Sequence, residues 1–287
     1  MRTEQLWVPA SKIPVRRLVH AERPLCQGLA QDQGWNSEDR KWRLLFDIGE
    51  VYGAFSPDGE LISTATMTRF GPQSVAISMV LTAPRFQGQG LARRVVTEVL
   101  ARSRPAVVSL YATDEGRPLY EKLGFVTYAS NTLYKGRFVA DPAYRPRSRP
   151  ATPNDLPALF ALDADVTGAD RSNLVTRLFG FTTQLRVLER DGEVTGYAGA
   201  WRNDDNLVIG PVIADDLDDA TTLIGDIAAT IAGEIRLEVR GDRAELGEWA
   251  ARHGLTPHGV TSFMVHDGRS LPGDGDRWFV PVMVALS

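Results

Sequence analysis

The chain has 287 residues, 43% hydrophobic and 24% charged, an ordinary soluble composition with room for roughly two self-sufficient cores. Lys+Arg is 32 against Asp+Glu 36, so the net charge of −4 excludes nucleic-acid binding by bulk charge. A single cysteine, Cys26, excludes a disulfide scaffold and favours a reducing compartment, and the four histidines (His20, His253, His258, His266) show no zinc-ligand spacing, so no metal is expected. Met1–Ser11 lacks the apolar stretch of a secretory signal, and the longest apolar run, Trp278–Leu286, is too short to cross a bilayer. The expectation is a cytoplasmic protein with neither nucleic acid nor membrane as partner.

In chain order, Pro14–Leu18 predicts a short strand, then Ala21–Ala30 and Ser37–Phe46 predict helices, the second with Ser37 as N-cap. Two β-rich runs, Val51–Ser56 and Leu61–Thr68, flank Asp58-Gly59-Glu60, a strong hairpin signal. Ser74–Thr82 follows the Gly71-Pro72 turn as a strand. Leu91–Arg102 places Leu91, Val95, Val96, Val99 and Leu100 at helical spacing. Val107–Tyr111 reads as a buried strand, Gly116–Leu123 as a helix, and Phe125–Tyr128 and Thr132–Gly136 as two further strands. Ala140–Pro153 carries four prolines and three arginines without apolar periodicity, which predicts an extended connector. It divides the chain into 1–139, a linker 140–153, and 154–287.

The second part repeats the order of the first. Gln184–Arg190, Asp191-Gly192-Glu193 and a run ending at Arg202 form another hairpin signal; Asp58 and Asp191 stand 133 positions apart, as do Arg69 and Arg202. Leu119–Phe125 answers to Trp249–Leu255, with Gly124 and Gly254 both placed to end a helix in a left-handed residue. The repeat predicts a duplicated domain, of mixed α/β (α+β) class because strands stand before and after helices among several hairpins.

Ser78–Arg94, SMVLTAPRFQGQGLARR, is the most informative segment. A strand stops at Pro84, a loop with Gly88 and Gly90 follows, and a helix starts at once. Helix starts leave amides unpaired with partial positive charge, and glycines let the backbone approach an anion, so the segment predicts a pyrophosphate cradle. It is not a Walker loop, since Leu91 and Ala92 follow Gly90 where Lys-Ser/Thr is needed. It is not a dinucleotide fingerprint, since Arg93 stands where the third glycine belongs. Gln87-Gly88-Gln89-Gly90-Leu91-Ala92, with Thr82-Ala83-Pro84 ahead of it, resembles motif A of the GNAT superfamily of acetyl-CoA-dependent N-acetyltransferases. Thr113–Phe125, ending Leu119-Tyr120-Glu121-Lys122-Leu123-Gly124-Phe125, resembles the family's second signature. The resemblance covers about residues 14–138.

The resemblance implies tandem GNAT-like domains, each a mostly antiparallel sheet flanked by helices, with a splayed cofactor groove in the first between the strand ending at Thr82 and Val107–Tyr111. Acetyl-CoA would lie there, its pantetheine against the backbone of Val80, Leu81 and Thr82, and its pyrophosphate on the amides of Gln87, Gly88, Gln89, Gly90, Leu91 and Ala92. Arg93 and Arg94 in the first helical turn oppose the helix dipole, a conflict a bound polyanion removes. Tyr120 matches the family tyrosine near the acetyl sulfur; a phenol is protonated at neutral pH and can serve the leaving thiolate. Thr113 stands where many members carry an asparagine that contacts the cofactor. Ser109 replaces a glutamate that serves some relatives as base; Asp47 and Glu50 are candidates, each also readable as a solvated loop charge, and a water chain to the backbone would also serve.

In the second part the matching cradle, Ile213–Asp219, has no glycine and four aspartates, which repel a pyrophosphate, and Ala250 replaces the tyrosine, so one CoA site per chain is expected. Leu162–Arg171 and Ile209-Gly210-Pro211-Val212 resemble the degenerate GNAT-like C-terminal domain that follows an active GNAT domain in some bacterial proteins. Asp163, Asp165, Asp170 and Arg171 have two readings: a pocket for a cationic amine facing the first domain, or capping by Asp170 and a local Asp–Arg pair. Trp35 and Trp42 are either pocket walls or core. The expected function is acetyl transfer to a primary amine of a small molecule; the alternatives are a non-catalytic acyl-CoA sensor and a protein or peptide acetyltransferase.

Overall fold

The structure, a computed structural model, describes residues 8–35, 38–141, 143–203 and 206–286. The Ser37 cap falls outside them. The first half runs β1 (Val15–Arg17), α1 (Arg23–Asp32), α2 (Asp39–Ile48), β2 (Glu50–Phe55), β3 (Leu61–Phe70), β4 (Ser74–Thr82), α3 (Leu91–Ser103), β5 (Val107–Ala112), α4 (Arg117–Glu121) and β6 (Phe125–Arg137). The second runs β7 (Arg149–Pro150), α5 (Leu156–Thr167), α6 (Ser172–Phe181), β8 (Gln184–Arg190), β9 (Glu193–Asn203), β10 (Asn206–Ala214), α7 (Leu217–Ala228), β11 (Glu234–Arg240), α8 (Ala244–Arg252), β12 (Leu255–His266) and β13 (Trp278–Val280).

Both Asp-Gly turns form, with Gly59 at φ 83° and Gly192 at φ 84°, and Gly124 and Gly254 both adopt φ 89° after their helices. These are local decisions, because only glycine takes such angles without a Cβ penalty.

The predicted arrangement is a sheet in each domain; the structure instead threads one mixed sheet through both halves, in the order β1-β2-β3-β4-β5-β12-β6-β11-β10-β9-β8-β7, with β13 against β10. β12, from the end of the chain, lies between β5 and β6. β6 in turn pairs with β11 of the second half. This reciprocal exchange explains why 125–137 is one strand rather than the predicted two: β6 has a partner along both edges, and interstrand hydrogen bonds override the polar break at Ser130 and Asn131.

The connector is extended but docked. Tyr144 and Ser148 hydrogen-bond to Asp226 on α7, with Ser148 N donating to Oδ2 at 2.7 Å, and Arg149–Pro150 pair with β8. Arg69 on β3 donates to Arg102 O at the end of α3 (2.9 Å), so α3 covers one face of the first half. α1 and α2 cover the other, and α2 reaches α6 through Arg40, whose Nη2 donates to Phe181 O (2.6 Å).

Candidate functional site

Ser74–Ile77 of β4 pair in parallel with Val107–Leu110 of β5, and the pairing stops there. Just beyond, Ser78 opposes Thr66 and Leu81 opposes Thr64, so β4 carries one extra residue, with Met79 at φ 47°. Such a bulge bends its strand, and here it parts β4 from β5. Ala83 donates to Ile62 O on β3 (2.9 Å). By antiparallel alternation Leu81 faces β3 too, and its carbonyl accepts Ser63 Oγ (2.7 Å). Thr82 therefore turns its amide and carbonyl to the open side. The sequence did not single out Gln33, at the end of α1, yet its Nε2 donates to Thr82 O (2.5 Å) and its Oε1 accepts from Gln87 Nε2 (3.3 Å). No local pattern announces a side chain that acts across fifty residues.

The loop after β4 takes a short 3-10 turn, Pro84–Phe86, and enters α3 through Gly88 at φ 77° and Gly90 at φ 85°. A Cβ at Gly88 would meet no heavy atom within 4 Å, so the loop is open to an incoming group. Gly90 serves as N-cap without any side-chain cap, and the first helical bond is Arg94 N to Gly90 O (3.0 Å). Among the described residues the amides of Gly88, Gly90, Leu91 and Ala92 have no acceptor, while Gln89 is engaged. Open glycines, unpartnered amides and a helix start are the donor set that a diphosphate requires.

The two arginines divide. Arg94 is committed to the fold, with Nε on Ile13 O (3.2 Å) and Nη1 on Glu98 (2.9 Å). Arg93 is exposed and has no partner among the described residues, so it is the cation free to meet an anion. Thr113 is exposed, and its Oγ1 accepts from Gly116 N (3.3 Å), helping start α4.

Tyr120 sits on α4, 7% exposed, with its ring edge-on to Phe125 (5.9 Å between centroids). Burial pushes its phenol up to about 12, and among the described residues nothing binds its hydroxyl. It is therefore a proton-bearing donor with no acceptor among the described residues.

The carboxylates proposed as base are held elsewhere. Glu50 accepts from Tyr52 OH (2.6 Å). Tyr52 lies under the Arg102 guanidinium on the α3 side of the sheet. Asp47 is exposed, 3.6 Å from His20. Trp42 is fully buried core and Trp35 is exposed. Of the four residues suggested for an amine pocket, Asp170 caps Ser172 N (3.0 Å) and Asp165 pairs with Arg277. Asp163 pairs with Arg171 behind a cavity that Arg171 lines. That cavity presents guanidinium, so the reading as a pocket for a cation is corrected.

In the second half the corresponding helix start and strand edge are both closed. Asp216 caps α7 by accepting Asp219 N (2.9 Å), occupying an amide of the kind α3 leaves open. Past Ile209, where β10 and β11 stop pairing, β13 lies along β10 instead, with Val212 opposite Val280 and Ile213 opposite Trp278. The chain's own C-terminal strand thus fills the position that β4 leaves free. Among the described residues no group of three or more His, Cys, Asp or Glu is arranged to hold a metal ion, and no helix is long and apolar enough to cross a membrane.

Two acetyltransferase (GNAT) domain families match the chain, over residues 51–139 and 159–280. The uncharacterized N-acetyltransferase YitH of Bacillus subtilis (strain 168) is 28% identical over 228 residues, 76% of this chain and 79% of that one. Among solved structures, a candidate acetyltransferase from Pyrococcus horikoshii superposes with a TM-score of 0.81 at 16% identity, covering 100% of this chain and 99% of that one. A tandem GNAT protein from the clavulanic acid biosynthesis pathway superposes at 0.63 with 12% identity, covering 90% and 100%. At these identities the superpositions establish the fold.

Proposed function

The chain is an acyltransferase of the GNAT family with two GNAT domains, and from that premise we propose that its first half transfers an acetyl group from acetyl-CoA to the primary amine of a small molecule by direct attack. The observation that carries the proposal is the open side of β4 ending in the uncapped, glycine-bearing start of α3.

The amides of Gly88, Gly90, Leu91 and Ala92, with Arg93 beside them, would hold the diphosphate. The outward backbone of Thr82 would orient the pantetheine amides by strand-like hydrogen bonds, exchanging its present bond to Gln33. Bound acetyl-CoA supplies an acyl group on a leaving thiolate. Tyr120, carried on α4, would donate to that sulfur. A phenol at about 12 gives up its proton reluctantly to a thiolate of ordinary basicity near ~8.5. Its contribution is therefore a hydrogen bond that strengthens as charge develops, with complete proton transfer secondary.

Isothermal calorimetry with CoA, and thiol release with acetyl-CoA across an amine panel, test the reading. Micromolar CoA binding with amine-dependent thiol release is expected. No binding at high micromolar CoA would overturn the site, and binding without release to any amine would overturn the transfer.

A further inference from the structure

A cavity of about 70 Å³ lies where the two halves meet, lined among others by Phe70, Ser74 and Ser109 of the first half and Arg171, Arg240 and Trp278 of the second. It is on the sheet face opposite α3: Arg69 reaches toward α3, so its neighbour Phe70 points the other way. Phe70 is in register with Ser74, and Ala76 with Ser109, which places those side chains on the same face.

Arg171 occupies the turn between α5 and α6, a turn held by Gly168 packing backbone to backbone on Gly273. Its side chain is 1% exposed, and the guanidinium lies 5.6 Å from the Phe70 ring and 5.0 Å from the Trp278 ring. Among the described residues its carboxylate partner is Asp163, with Nε 3.1 Å from Oδ1, and the Tyr197 hydroxyl that donates to Asp163 also lies close to the guanidinium. Nη1 and Nη2 donate to no described residue. A guanidinium stays charged at any working pH, and leaving its forked donors buried and unpaired is costly. Arg240 adds a second buried cation, with its counter-ion Asp242 40% exposed and screened by solvent. Among the described residues no carboxylate lines the cavity.

The same face carries a lane of hydroxyls toward the cofactor edge. Thr68 opposes Ala76 and Thr66 opposes Ser78, and Thr66 Oγ1, Thr68 Oγ1 and Ser78 Oγ are all buried without a partner. Ser78 is the first residue of β4 beyond its pairing with β5. Unpaired polar groups therefore run from the guanidinium to the opening where transfer would occur.

We propose that Arg171 binds the carboxylate of the acceptor, which makes the acceptor an amino acid or another amine bearing an acid group. The planar fork of a guanidinium matches a carboxylate through two parallel bonds, and a cavity of this size holds one. The assignment rests on the acetyl-transfer reading above.

The test uses the full chain and matched pairs that differ by one carboxylate: glycine and methylamine, β-alanine and ethylamine, 6-aminohexanoate and pentylamine, lysine and cadaverine. Thiol release should favour an acid member by on the order of a hundredfold in kcat/KM. Arg171→Lys, which loses the fork, and Ser109→Leu, which fills the cavity without touching a charge, should each collapse that ratio toward unity. The second variant keeps the test decisive if the first does not fold. Independently of turnover, acetate, butyrate and hexanoate should raise Tm saturably in the wild type and not in Ser109→Leu. Turnover without acid preference, or absence of a saturable Tm rise, would overturn the proposal and leave acetyl transfer standing. A carboxylate effect on Tm without discrimination between pair members would mean a free acid rather than the acceptor's, and overturns it too. Carboxylate binding with no turnover of any amine sinks the transfer reading and the acceptor assignment with it.

Discussion

At the scale of the residue, Tyr120 takes its chemistry from its surroundings. Burial against Phe125 holds the phenol protonated well past its ordinary range, and an unengaged hydroxyl leaves the donor available. Tyr120→Phe should lower kcat by roughly ten- to a hundredfold, the range for loss of a positioned donor or acid. CoA affinity by calorimetry should stay nearly unchanged. An unaltered kcat removes the residue from the mechanism. Tyr120 is legible in the sequence because Leu-Tyr-x-x-x-Gly-Phe is contiguous. The difference between Arg93 and Arg94 is not: adjacent helical residues point about 100° apart, and only tertiary packing brings Ile13 to one of them.

At the scale of the element, capping decides where helices begin. α3 starts on Gly90 with its amides open, whereas α7 starts on Asp216 with an amide taken. The start of α5 is fixed by Thr152 and Asp155, whose carboxylate accepts Thr152 N (2.7 Å) and two bonds from Arg149. Those bonds, Arg149 first, hold Asp155 far below the usual carboxylate range. Its folded pKa is depressed, so its stabilisation is complete above the unfolded value near ~3.9 and fades as pH falls toward the folded one. Asp155→Asn should cost about 1–2 kcal/mol at pH 7, with a narrower gap at pH 3. Urea titrations at the two pH values check this, and a gap equally wide at both would contradict it.

At the scale of the whole molecule, the exchange of β6 and β12 makes the halves interdependent. Without β12, both β5 and β6 expose unpaired edges, and exposed edges recruit other chains. Residues 1–139 and 140–287 expressed separately should aggregate or stay unfolded, and co-expression should restore one folded complex. Size-exclusion chromatography with circular dichroism decides it; a monomeric 1–139 that unfolds cooperatively would refute the interdependence. The exchange also places Arg171 and Arg240 of the second half against Phe70 and Ser109 of the first.

Sequence by itself determined the hairpin turns, the glycine helix ends and the glycine-bearing loop that opens α3, because each is encoded within a few residues by backbone angles or a contiguous motif, and the near-constant offset between such signals revealed the duplication. The aspartates between 215 and 219 likewise foretold a helix start closed by its own side chain, which Asp216 provides by capping α7. Only the tertiary structure decided that the two sheets are one, that β13 fills the second opening, and that a buried arginine from one half faces the other. Those outcomes depend on strand partners and side-chain neighbours more than a hundred residues apart, and no local pattern carries information over that distance.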